Sequence, residues 1–239
     1  LQAPLELEPD ADLEKQLQMD QVQLLLGIDR LPQAEAATRD LTTRYPEDPS
    51  SWEFAGQVVQ TSYQGELQDL LTILARDLAD SDMVQARRLL GVWLFGPDED
   101  PAVSASRFRL QKLLDASVVP GPDTVDLPNR IQLLRSRVQL ALDHYRTALA
   151  RAGDEPLASA FRAVIRGMRS AERFDDVVVQ CQLQLRRTKG NGNPYWIEAL
   201  TELLRTLRDA GRLDAAIAAM KRWLPKAQIV TLHGLGMLG

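Results

Sequence analysis

Cysteine is nearly absent from this 239-residue chain, with Cys181 standing alone. One cysteine excludes an intramolecular disulfide and any cysteine-rich zinc site. Aromatic residues make up only 5%, and period-two runs of Val, Ile and Thr are scarce. Both shortages argue against a β-rich fold. No stretch reaches the ~18 consecutive apolar residues that read as a membrane-spanning helix. Histidine is limited to His144 and His233. Neither sits in an H-E-x-x-H or H-x-E context, and no G-x-S-x-G or G-x-x-x-x-G-K-[ST] occurs. Carboxylates are plentiful, but none is paired in an apolar setting that would raise a pKa for acid–base work. The chain is therefore expected to be non-catalytic, with no metal and no cofactor.

What is present is ordinary in amount and uneven in placement. The sequence is 45% hydrophobic and 26% charged, with a net charge of -5. Those values suit a globular protein of one or two domains with ample core material. Residues 1–100, however, hold 7 Lys+Arg and 20 Asp+Glu, net -13, while residues 101–239 hold 21 and 13, net +8. The basic residues are mostly arginine, 23 against 5 lysines. The chain begins at Leu1 and not Met, as a processed or partial product would, so cytoplasm and periplasm both stay open.

Helical periodicity dominates. Leu200, Leu203, Leu204 and Leu207 recur at three- and four-residue steps, as do Phe161, Val164, Ile165 and Met168; such steps put apolar residues on one helix face. Proline and glycine fall between these segments, as in Tyr45-Pro46-Glu47-Asp48-Pro49 and Gly96-Pro97, where they end helices. The pattern predicts eleven helices, at 10–27, 31–45, 49–62, 65–79, 82–95, 101–117, 127–152, 155–171, 174–189, 194–210 and 213–226. The one strand candidate is Ile229–Leu232.

These helices repeat. Leu31, Leu67, Val103, Phe174 and Leu213, taken as openers of second helices, are separated by 36, 36, 71 and 39 residues. Positions at fixed offsets from them are mostly apolar, as stacked hairpins require. Ala210-Gly211-Arg212-Leu213-Asp214-Ala215-Ala216 and Glu172-Arg173-Phe174-Asp175-Asp176-Val177 resemble the turn and second helix of tetratricopeptide repeats. Trp52 with Gly56, and Ala34 with Pro46, fit the same family pattern. Pentatricopeptide and other helical-hairpin repeats are close rivals. The resemblance implies an all-α, right-handed α-solenoid of about five to six stacked helix-turn-helix units. The organisation expected is a flexible acidic lead at 1–9, acidic repeats at 10–118, a proline-rich loop at 119–128, basic repeats at 129–226 and an apolar glycine-rich tail at 227–239.

Arg162, Arg166, Arg169 and Arg173, spaced four, three and four apart, form a stripe beside the apolar face of their helix. Arg205 and Arg208 sit on the equivalent helix of the next unit. Repeats of this family line a groove with their first helices, so the resemblance implies that these arginines, with Trp196, form a groove for an acidic peptide or protein. Guanidiniums converging on one site favour carboxylate or phosphate through bidentate hydrogen bonds. Nucleic acid is disfavoured, because the -13 half would repel a polyanion. An acidic end and a basic end would also suit stacking between copies as a homo-oligomer. Cys181 reads as a buried small hydrophobe, and His144 as a surface or groove residue. Gly234-Leu235-Gly236-Met237-Leu238-Gly239 matches G-x-G-x-x-G after a strand-like run. It reads either as an apolar tail or as the start of a catalytic domain to which these repeats would be appended.

Overall fold

The computed structural model describes residues 11–78, 80–117, 127–153, 157–188 and 194–224. Among them are ten α-helices and no strand. They are α1 (Ala11–Gly27), α2 (Leu31–Arg44), α3 (Pro49–Asp77), α4 (Asp80–Phe95), α5 (Pro101–Ser117), α6 (Leu127–Arg151), α7 (Ala158–Ser170), α8 (Phe174–Arg187), α9 (Pro194–Asp209) and α10 (Leu213–Trp223). The expected lead at 1–9, the tail at 227–239 and the strand candidate Ile229–Leu232 lie outside the described residues, as does 119–126 of the expected loop. Leu127 and Pro128 open α6 and do not belong to that loop. Proline suits a first turn because its missing N–H would have no helical partner there.

Three helix-to-helix turns are built alike. Asp29, Glu172 and Gly211 hold left-handed φ angles of 57°, 60° and 70°. The N–H of the following residue donates to a carbonyl five residues back: Arg30 to Leu25 at 2.8 Å, Arg173 to Met168 at 2.9 Å and Arg212 to Leu207 at 2.8 Å. The left-handed residues donate to Leu26, Arg169 and Arg208. This is the Schellman arrangement, which satisfies carbonyls that a helix end leaves open. Each arginine then precedes the next helix at φ -96°, -85° and -93°. Thus α1–α2, α7–α8 and α9–α10 are hairpins with one turn geometry. Leu31, Phe174 and Leu213 open their second helices, as the spacing predicts.

The middle of the chain departs from that period. The expected helices 49–62 and 65–79 are one helix, α3, of 29 residues. Asp48 caps its start, accepting from the Ser51 N–H at 2.8 Å. Gly65 does not interrupt it, since an interior glycine costs a helix only about 1 kcal/mol and both flanking halves are packed. Leu67 therefore lies in mid-helix, and no turn precedes it. α3 runs antiparallel to α6: Gln60 accepts from the Tyr145 hydroxyl at 2.8 Å, Ser62 from Arg137 at 2.8 Å and Glu66 from Arg130 at 2.8 Å. Gly56 makes this approach possible, because a Cβ there would stand 2.7 Å from the Tyr145 ring.

The packing order is α1 on α2, α2 on α3, α3 on α6, and then α6 through α10 in sequence; α4 and α5 form an inserted hairpin whose α4 packs on α6 and α7. The central core joins α3–α6 to α7 through residues such as Leu70, Leu94, Leu110, Ile131, Val138 and Val164. A smaller core holds Val22, Ala34, Leu41, Phe54 and Val58, and a third holds Phe161, Ile165, Cys181, Leu200 and Trp223. Acidic residues of the first hundred pair with arginines of α6: Glu35 with Arg137, Glu47 with Arg151, Glu66 with Arg130 and Asp98 with Arg135, at 2.9, 3.5, 2.8 and 2.7 Å.

Two glycines give opposite expectations in urea unfolding followed by circular dichroism. Gly65 has open space where a Cβ would sit, so Gly65→Ala raises stability by about 0.5–1 kcal/mol if α3 is continuous. Gly211 also has open space but a left-handed φ, so Gly211→Ala lowers stability by about 1 kcal/mol.

Candidate functional site

α7 buries Phe161, Val164 and Ile165 and turns Arg162 and Arg166 to solvent, with Arg169 half-buried. α9 divides the same way. Ala199, Leu200, Leu203 and Leu207 are buried, while Glu198, Glu202, Arg205 and Asp209 recur at four, three and four residues along another face. The two polar faces meet as a ladder. Arg162 pairs with Glu198. Arg169 reaches both Glu202 at 2.9 Å and Asp209 at 2.6 Å, and Arg205 reaches Glu202 at 2.7 Å. The hydrogen bond and charge of Glu198 push the Arg162 pKa further up, so it stays cationic.

Arg162, Arg166, Arg169 and Arg205 line one concavity of about 490 Å³ with Glu198 and Glu202. Arg166 differs from the others: among the described residues it has no ion pair and no hydrogen bond. Arg162 and Arg166 also border a second hollow of about 350 Å³ against Gln57, Gln60 and Tyr145. Burial raises the pKa of Tyr63 and of Tyr145, and in both the positive charge of Arg166 opposes it. A third hollow of about 580 Å³ adjoins the first at Ser170. It is lined mainly by apolar residues of α3 and α4, among them Leu67, Leu71, Leu90, Leu94 and Phe95. The surface therefore grades from basic and polar to apolar.

Three expected groove residues fall elsewhere. Trp196 is 1% exposed and sits in the C-terminal core. Its position opens the series Ala199, Leu200 and Leu203, at three, four and seven residues, which is the buried face of α9. Arg173 pairs with Asp176 at the start of α8, at 2.6 Å. Arg208 pairs with its neighbour Asp209 at 3.2 Å. Neither Arg173 nor Arg208 lines the concavity.

Cys181 is fully buried, and desolvation pushes its thiol up to about 12; the charge of Glu202 adds to this and that of Arg169 opposes it. A thiol so shifted is not a nucleophile near neutral pH. His144 is half-buried beside Trp52, ring centroids 5.6 Å apart, and burial lowers its pKa. Among the described residues no three His, Cys, Asp or Glu side chains gather as metal ligands, and no helix is long and apolar enough to cross a membrane. The G-x-G-x-x-G segment 234–239 lies outside the described residues.

No family model, no curated protein and no solved structure matches the chain.

The carboxylates of the ladder escape a search for basic residues alone. Their signal is periodic: Glu198, Glu202 and Asp209 each stand 36 residues beyond Arg162, Arg166 and Arg173. One unit's arginine positions are thus partly acidic in the next.

Two measurements check this geometry. Arg169→Ala, which severs two half-buried pairs, lowers stability by about 1 kcal/mol, whereas Arg208→Ala stays within about 0.5 kcal/mol. Cys181 resists a soluble thiol reagent in the native protein and reacts at once in denaturant; native reactivity would contradict its burial.

Proposed function

We propose that this protein is a non-catalytic scaffold, a tetratricopeptide-like α-solenoid whose groove takes an acidic segment of a peptide or protein within a larger assembly. The observation that carries the reading is the convergence of Arg162, Arg166, Arg169 and Arg205 on one concavity, with Arg166 unpaired among the described residues. Three carboxylates, Glu198, Glu202 and Asp209, answer these four guanidiniums, so the concavity keeps an excess of one positive charge. The three like turns support a repeated hairpin unit. The adjoining apolar hollow supports a segment that carries aliphatic side chains beside its carboxylates.

Glu198 and Glu202 act as internal competitors in this reading. An incoming carboxylate exchanges with them for Arg162, Arg169 and Arg205, so the net gain comes chiefly from Arg166. Charge of this kind contributes to association rate and partner choice more than to affinity.

The probe is a fluorescein-labelled peptide of alternating Glu and Leu, with a Lys/Leu peptide as control, followed by anisotropy. Arg166→Glu weakens binding of the acidic peptide by about tenfold or more, equivalent to about 1.4 kcal/mol. Glu202→Gln strengthens it, because Arg169 and Arg205 lose a competing carboxylate. Equal binding of both peptides, or indifference to both substitutions, sinks the reading. Retention of single-stranded RNA in place of the peptide would replace it with a nucleic-acid groove.

A further inference from the structure

α1 is apolar on two sides but covered on one. Val22 is fully buried and Met19, Leu25 and Leu26 pack around it. Leu13, Leu17 and Leu24, with Ile28 in the turn just past the helix end, are 57 to 65% exposed. At 100° per residue those four fall within about 60° of one another, on the side opposite Val22. A helix apolar on both sides is patterned to lie between two neighbours, and α1 packs chiefly on α2. α10 repeats the condition. Trp223 is buried, with Ala216 and Ala219 packed against the same core, while Leu213, Ile217 and Met220 are 41 to 60% exposed along one strip. Its chief packing partner is α9. Other exposed apolar residues stand singly or in pairs, such as Val84, Phe108, and Val179 with Leu183.

We propose that copies of this chain stack head to tail, the exposed apolar face of α1 in one copy packing on that of α10 in the next. Among the described residues the two helices are the ends of the packing order, each packed chiefly on one neighbour. Their charges decide the pairing. Glu14 is neutralised by Arg44 and Arg212 by Asp175; of the remaining charges, Asp12 and Asp20 against Lys15 leave α1 negative, and Lys221 and Arg222 against Asp214 leave α10 positive. An α1–α1 or α10–α10 contact sets like charges together; an α1–α10 contact sets unlike charges together. The contact is therefore heterologous: each copy retains one free face of each kind, and assembly continues past a dimer unless a ring closes.

Sedimentation velocity on the 239-residue chain tests this with two double variants, Leu17→Asp/Leu24→Asp and Ile217→Asp/Met220→Asp. All four positions are exposed, so both variants keep the helical circular dichroism of the parent. The parent is expected to grow beyond a dimer with concentration. Each variant alone is expected to stay monomeric, and an equimolar mixture to form a one-to-one dimer and nothing larger, since one intact face survives on each. A parent that stays monomeric at every concentration overturns the proposal, leaving these faces to another protein or to further chain. A single variant that dimerises alone overturns it in favour of a symmetric contact. So does a mixture that stays monomeric.

Discussion

The antiparallel contact of α3 with α6 is the constraint from which the rest of the arrangement follows. It is closed by Tyr145, whose ring lies against Gly56 and whose hydroxyl reaches Gln60. Because α3 and α6 are separated by a whole hairpin, their pairing forces α4 and α5 out of the sequential stack. It also brings α7 beside α4, where Glu172 ion-pairs with Arg88. Without it, the three cores would be held together mainly by sequence-local contacts. With it, α3 links the small N-terminal core to the central one and offers Gln57 and Gln60 to the hollow beside α7. The second hollow is thus a product of non-local packing, whereas the arginine-lined concavity is built by α7 and α9 alone.

What was legible in the sequence is what is local. The turn at Gly211-Arg212-Leu213 could be read because it carries the glycine that a left-handed residue favours; Glu172-Arg173-Phe174 reaches the same geometry with glutamate in that place. The third member, Asp29-Arg30-Leu31, has the same geometry without glycine, and only the spacing pointed to it. The continuity of α3 was illegible for a physical reason. An interior glycine is a small penalty locally, and whether it ends a helix is decided by what packs on either side. The signal at Gly65 was therefore real but weak, and the contact with α6 overrides it.

The site was half legible. Stripe spacing identified Arg162, Arg166 and Arg169, and the repeat carried Arg205 beside them. Counting one sign of charge hid the answering carboxylates on α9, so a ladder read as a bare basic strip. Trp196 failed because an aromatic at a helix start reads equally as groove or core, and only its series with Ala199, Leu200 and Leu203 separates the two. Arg135 shows the limit from the other side. It is 4% exposed and donates to the Gly96 carbonyl at 2.8 Å, closing the end of α4 from another helix. No periodicity announces a buried arginine, because its partners lie 37 and 39 residues away in sequence.

The charge asymmetry between the two parts of the chain is best understood as internal before it is external. Glu35, Glu47, Glu66 and Asp98 come from the acidic first hundred residues, and the arginines that answer them, Arg137, Arg151, Arg130 and Arg135, all come from α6. Opposite halves attract along the same contact that orders the fold, which is where the separation of charge does its first work. The carboxylates of α9 then neutralise most of the stripe on α7. Among the described residues, Arg166 is the arginine of that stripe left without an ion pair, and it and the apolar faces of α1 and α10 are the proposed points of contact. A net charge of -13 against +8 would overstate any long-range steering by the whole molecule, since paired charges cancel at a distance. The proposed recognition therefore rests on these few groups and not on the bulk imbalance.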